Sequence, residues 1–249
     1  MNRIAIIAAM EREIAPLLQR GWRKDVLSAG TKKFVAFQHD AVLVVISGIG
    51  RNNAELAART AVERFQPSLL MSVGLAGALI RSLKVGNVFT PSVVVDAADG
   101  AEFRCSPDKD RVSGGVLVSS AEVAGAQAKQ KLVSRFHALV VDMEAAGVAR
   151  AARQGNIGFR CVKTISDEAD FAMPPMEKFI DSTGHFQTNR FAGWAALRPW
   201  QWPRVAALAR NSRRATAALC QWLEKHLNAG SHSGDIVTLN RAGFLEAKH

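Results

Sequence analysis

Three things are missing from this chain: a disulfide framework, a membrane span and a low-complexity linker. Its 249 residues hold three cysteines, Cys105, Cys161 and Cys220, at unpaired spacings. An odd, irregular set in a chain of this length does not staple a fold, so a reducing cytoplasm is the expected compartment. Long apolar runs are also lacking. The first, "IAIIAAM" from Ile4 to Met10, is broken by Glu11, Arg12 and Glu13, too soon for a signal peptide or a spanning helix. Histidine is scarce, with six in all. None stands beside the acidic motifs described below, and no stretch has the spacing of a metal loop, so neither a metal nor an organic cofactor is expected.

What is present is the composition of an ordinary folded domain, 48% hydrophobic and 22% charged, which excludes disordered and collagen-like classes. The net charge of +10 invites a nucleic-acid reading. However, the basic residues are scattered, clustering only near Arg198 to Arg214, and do not interleave with aromatics, so no nucleic-acid partner is expected. Short Val/Ile/Leu runs alternate with alanine-rich helical stretches, the rhythm of an α/β protein. Strands are predicted at 4–9, 33–38, 41–47, 69–73, 87–95, 115–119, 138–141 and 158–165. Helices are predicted at 11–19, 52–65, 121–133, 144–154 and 205–227. This order suits one three-layer α/β/α sandwich over residues 1–228. Residues 171–204 carry four of the eight prolines plus Trp194, Trp200 and Trp202 and read as an irregular insertion or lid, and 229–249 as a loosely held tail.

Five stretches could carry chemistry. "AAMEREI" places Glu11 and Glu13 just past the first strand, where ligands bind in open α/β sheets; the alternative is that both merely favour the positive end of a following helix. "SGIGRNNAE" is a glycine turn opening a helix, and it matches neither a Walker loop nor GxGxxG. In "SVGLAGAL", Gly74 and Gly77 flank small residues including Ala76, leaving room beside the sheet for a flat or sugar-like ligand, although tight backbone packing explains the glycines equally well. "VVDMEAAG" and "VKTISDEAD" each end an apolar strand on acids. If they belong to one parallel strand-helix-strand unit, Glu144 and Asp167 emerge on the same sheet edge and face one cleft with Glu13.

Taken in order, "IIAAMEREI", "SGIGRNNA", "VGLAGAL", "VVDMEAAGVA" and "ISDEAD" resemble the purine nucleoside phosphorylase superfamily, and within it the methylthioadenosine/S-adenosylhomocysteine nucleosidases. The resemblance implies a mixed, twisted central sheet and cleavage of a purine N-glycosidic bond in a 5′-modified adenosine. It implies Glu13 as the residue that handles the attacking water, Glu144 as a holder of ribose hydroxyls with Met143 packed on the sugar, and Asp167, beside Ser166, as the acid that supports protonation of purine N7. A base-stacking phenylalanine of the nucleosidases falls at Val123, a loop serine at Leu75, and an arginine common in phosphorylases at Ser72. Hydrolysis is therefore expected over phosphorolysis. The Trp-rich insertion suits a homodimer interface or a membrane–water interface. It also makes the chain similar to the hopanoid-associated phosphorylases, which implies an adenosyl-lipid as an alternative substrate. A nucleoside-binding module without catalysis is the non-enzymatic alternative.

Overall fold

A computed structural model describes residues 3–18, 21–107, 114–123, 125–181 and 183–242. Eleven strands form one mixed sheet among these residues: β1 Ile4–Ala8, β2 Arg23–Ala29, β3 Lys32–His39, β4 Val42–Ile46, β5 Leu69–Ala78, β6 Val88–Phe89, β7 Val93–Asp96, β8 Glu102–Arg104, β9 Val116–Ser119, β10 Val140–Asp142 and β11 Gly158–Asp167. The helices are α1 Arg51–Phe65, α2 Ala126–Phe136, α3 Ala145–Gln154, α4 Thr188–Ala196 and α5 Trp202–Ala242.

The central strands β1, β5 and β11 are buried on both faces, and their period-two alternation divides the core. Ala5, Ile7, Leu70 and Cys161 pack with Ala54, Ala57, Ala58 and Ala61 of α1 and with Ala145, Val148 and Ala152 of α3. Ile6, Ala8, Met71 and Val162 pack instead with Leu219, Trp222 and Leu223 of α5. These are the three layers expected from the sequence. Alanine faces on α1 and α3 let the two helices approach closely: a Cβ on Gly147 would lie 2.2 Å from the Arg51 carbonyl oxygen.

Strand β5 organises the site. One of its edges pairs with β11, in parallel, from Leu69 to Gly77. Its other edge takes β1 in parallel up to Ala8↔Val73 and then β10, antiparallel, at Val141↔Gly77 and Val140↔Ala78. The carboxyl ends of β1 and β10 thus face each other across the stretch from Gly74 to Ala76, which on this edge has no strand partner among the described residues. Ligands collect outside strand carboxyl ends in such sheets, and here two such ends open onto one gap.

Several expectations change. The helix predicted at 11–19 is a single 3-10 turn at Glu11–Glu13 followed by turns, because Pro16 offers no N–H to continue it; residues 19 and 20 lie outside the described set. Strands β2 and β8 were not predicted, since both are largely exposed and give no apolar run. Strands β10 and β11 run in opposite directions relative to β5, so they are not a parallel unit. The insertion is more regular than expected, holding α4 and two 3-10 turns, Met176–Phe179 and Pro199–Gln201. The last helix continues past residue 229 to Ala242, and positions 243–249 of the expected tail lie outside the described residues. No helix among the described residues is long and apolar enough to cross a membrane.

Candidate active site

A cavity of about 180 Å³ lies over the gap in β5. Glu13, Ala76, Gly77, Val123, Met143, Glu144, Ser166 and Asp167 all reach its wall, so the three acids predicted from separate motifs do converge. Gly74 does not line it. With φ +146° it turns its open side to Glu13, whose Oε2 is 3.0 Å from where a Cβ would stand. Its role is to make room for that carboxylate.

One end of the cavity is acidic. Glu13 is 4% exposed, and its Oε2 has no hydrogen-bond partner among the described residues. Burial, reinforced by the nearby Glu144 and opposed by Lys163, pushes its pKa from 4.5 to about 7. Burial also raises Glu144, whose Oε1 accepts the Gly50 N–H at 3.0 Å. The helix-opening turn "SGIGRNNA" therefore orients a site carboxylate.

Two residues given no role from sequence hold this end together. Lys163 Nζ lies 2.8 Å from Asp142 Oδ2. Burial pulls the lysine's pKa down, but Asp142 and Glu144 outweigh it, and the net displacement is upward. Asp142 also caps α3, accepting the Ala145 N–H at 2.9 Å, while Ser119 Oγ donates to Asp142 Oδ1 at 2.5 Å and accepts the Ala146 N–H at 2.9 Å. The two carboxylates at this strand-to-helix junction thus divide the work: Asp142 anchors helix and lysine, leaving Glu144 to face the cavity. A lysine inside the apolar run of β11 was the available signal for Lys163.

The other end lies near Gly77, three residues along β5 from Gly74, a separation of about 10 Å at strand rise. Asp167 Oδ2 is 2.8 Å from the Cβ position of Gly77, so only glycine leaves space for it. Asp167 Oδ1 accepts from Ser166 Oγ at 3.0 Å. Its neighbour is Lys129 of α2, whose Nζ sits 2.6 Å from Oδ2. Lys129 lies on a helix that reads as solvated, which hid it from sequence reasoning. Met173, Met176, Ile180, Phe186 and Leu208 complete an apolar wall from the insertion and α5. His185 is exposed and bonds Thr183 Oγ1 at 2.7 Å, outside this wall. Among the described residues no group of three or more His, Cys, Asp or Glu side chains is placed to hold a metal ion.

A family model described as "Phosphorylase superfamily" matches residues 3–111 and 105–192. The chain belongs to the phosphorylase superfamily. Within this superfamily the chain is 29% identical over 198 residues to a 5′-methylthioadenosine/S-adenosylhomocysteine nucleosidase of Staphylococcus aureus, a match covering 67% of this chain and 87% of the relative. The fold resembles that of the Arabidopsis thaliana 5′-methylthioadenosine nucleosidase (TM-score 0.71, 18% identity, 92% and 95% of the two chains covered). It also resembles the Helicobacter pylori futalosine hydrolase (TM-score 0.63, 21% identity, 90% and 98% covered).

Proposed function

We propose that this superfamily member is a cytoplasmic nucleosidase that cleaves the N-glycosidic bond of a 5′-modified adenosine, of the methylthioadenosine or S-adenosylhomocysteine type, with water as acceptor. The observation that carries the reading is the convergence of Glu13, Glu144 and Asp167 on one cavity. As the bond breaks, positive charge develops on the ribose, and carboxylates fixed in a water-poor site lower that barrier more than they would in solvent. Glu144, held by the Gly50 N–H, faces the sugar with Met143. Glu13, with a free oxygen and a pKa of about 7, is matched to removing a proton from water at neutral pH. A phosphate dianion would be set against Glu13 and Glu144 at this end, which favours hydrolysis over phosphorolysis. The names of the similar proteins agree with the reaction class.

Incubation with methylthioadenosine, with and without phosphate, tests the reading. Free adenine at equal rates in both is expected. Strict phosphate dependence would install the phosphorolytic alternative, including cleavage of an adenosyl-lipid, and saturable binding without adenine release would install the binding module.

Two partner readings go with it. Ile49, Met143 and Ile180 separate the cavity from a polar cleft of about 350 Å³, which a second copy of the chain would cover in a homodimer; light scattering reads the mass. The insertion supports peripheral membrane contact. Leu197, Trp200 and Trp202 are 77%, 68% and 56% exposed, and the segment between Asp181 and Glu224 has six arginines and no acid. Tryptophan beside arginine suits an anionic interface. Co-sedimentation with phosphatidylglycerol vesicles, abolished by Trp200→Ser with Trp202→Ser, is the expected result, and an intact chain that stays in the supernatant removes this reading.

A further inference from the structure

We infer that Arg12 is a specificity residue, whose guanidinium receives a carboxylate at the far end of the substrate's 5′ substituent. The inference rests on the nucleosidase reading above and narrows its substrates to 5′-thioadenosines with an anionic tail. The cavity has a direction. Asp167 marks the end near Gly77, where the base sits in that reading, and Glu144 with Met143 marks the sugar, so the 5′ substituent continues beyond Glu144. The turn that holds Glu144 through the Gly50 N–H also carries Ile49, whose N–H donates to the Gly184 carbonyl at 2.8 Å. Gly184 lies in the short segment closed by the Ile180–Phe186 bridge, and Ile49, Ile180 and Phe186 all line the cavity. Arg12 lines it beside them, with its guanidinium carbon 5.2 Å from the centroid of the Phe186 ring.

Charge then selects the ligand. Among the described residues, Arg12 and Lys129 are the cations on this wall. Lys129 is bonded to Asp167, whereas the Arg12 guanidinium has no ion-pair or hydrogen-bond partner among the described residues. Contact with the Phe186 face restrains the guanidinium and leaves its N–H donors open, and that planar fork matches the two oxygens of a carboxylate. Glu11, on the same turn, is exposed and does not reach the wall. Elsewhere on the wall Glu13, Glu122, Glu144 and Asp167 repel an anion, so a carboxylate on the substrate is accommodated only at Arg12. Arg12 is itself exposed, which places it at the rim, and the net charge of +10 draws an anionic ligand towards it.

The test compares 5′-(carboxypropylthio)adenosine with its carboxamide, which differ in charge but hardly in size. The wild type is expected to cleave the carboxylate with a kcat/KM about tenfold above that of the amide, the order of one charge-assisted contact at a partly exposed site, with the difference residing in KM. Arg12→Gln should bring the two substrates level, and Arg12→Lys, which keeps the charge without the fork, should retain part of the preference. Equal kcat/KM for the two substrates in the wild type overturns the inference. A preference that survives undiminished in Arg12→Gln also overturns it, because Arg12 would then be no more than a latch on Phe186. Both outcomes leave the nucleosidase reading intact, whereas a wild type that frees adenine from no nucleoside overturns the two together.

Discussion

Lys163 Nζ meets Asp142 Oδ2 at 2.8 Å with both side chains sealed from solvent. One cation thereby serves three buried acids, Glu13, Asp142 and Glu144, at the same end of the cavity. That imbalance, more than any single contact, makes the site proton-sensitive.

Removing the cation should be costly. Lys163→Met leaves Asp142 buried and unpaired beside Glu144, and breaking a buried ion pair on one side typically costs ~3–5 kcal/mol. Chemical denaturation at pH 7 should show a loss of that order. The loss should shrink in Lys163→Met with Asp142→Asn, because the orphaned charge is then gone, while the amide oxygen can still cap α3.

Glu13 sets the pH behaviour. Its ordinary pKa is 4.5 and burial raises it to about 7 in the fold, so folding favours the protonated form. The associated stability is fully present below pH 4.5 and is lost as pH rises through 7; at ~1.4 kcal/mol per unit the loss is about 3 kcal/mol. Glu13→Gln carries no such titration. Its unfolding free energy should exceed that of the wild type at pH 8 by up to that amount, the difference closing towards pH 5. A wild-type advantage at pH 8 would contradict the burial of an ionised Glu13.

Activity should move the opposite way. A base at Glu13 works only when ionised, so kcat/KM for methylthioadenosine should climb as pH passes through about 7. The ascending limb should vanish in Glu13→Gln, which retains little activity at any pH. A wild-type profile flat from pH 5 to 8 would deny Glu13 that role.

Two glycines should separate chemistry from stability. A Cβ at Gly77 would lie 2.8 Å from Asp167 Oδ2 and 3.3 Å from Val141 Cγ1. Gly77→Ala must therefore displace the carboxylate and should cut kcat at least tenfold with a modest change in melting temperature. A Cβ at Gly147 would lie 2.2 Å from the Arg51 carbonyl oxygen, backbone that cannot swing aside. Gly147→Ala should therefore lower the melting temperature by forcing α1 and α3 apart, an overpacking cost of typically ~1–3 kcal/mol. Thermal melts alongside initial rates distinguish the two.

The sequence by itself determined the layer pattern and the ordered motifs. Buried strands must be apolar on both faces and α1 and α3 must be alanine-rich to pack closely, so composition and periodicity carry that information directly. Charge at the end of an apolar run is conspicuous, which made Glu13, Glu144 and Asp167 legible as candidates, and the family resemblance singled them out from Glu11 and Asp142. Only the tertiary structure decided what surrounds them. Strand direction is set by pairing, which leaves no local mark, and so β10 emerged opposite to β11. The exposed edge strands β2 and β8 offered no apolar signal to read. Lys129 was hidden for the same reason: a lysine on a polar helix looks like solvent decoration until the fold turns that helix over the cavity and sets its ammonium against Asp167.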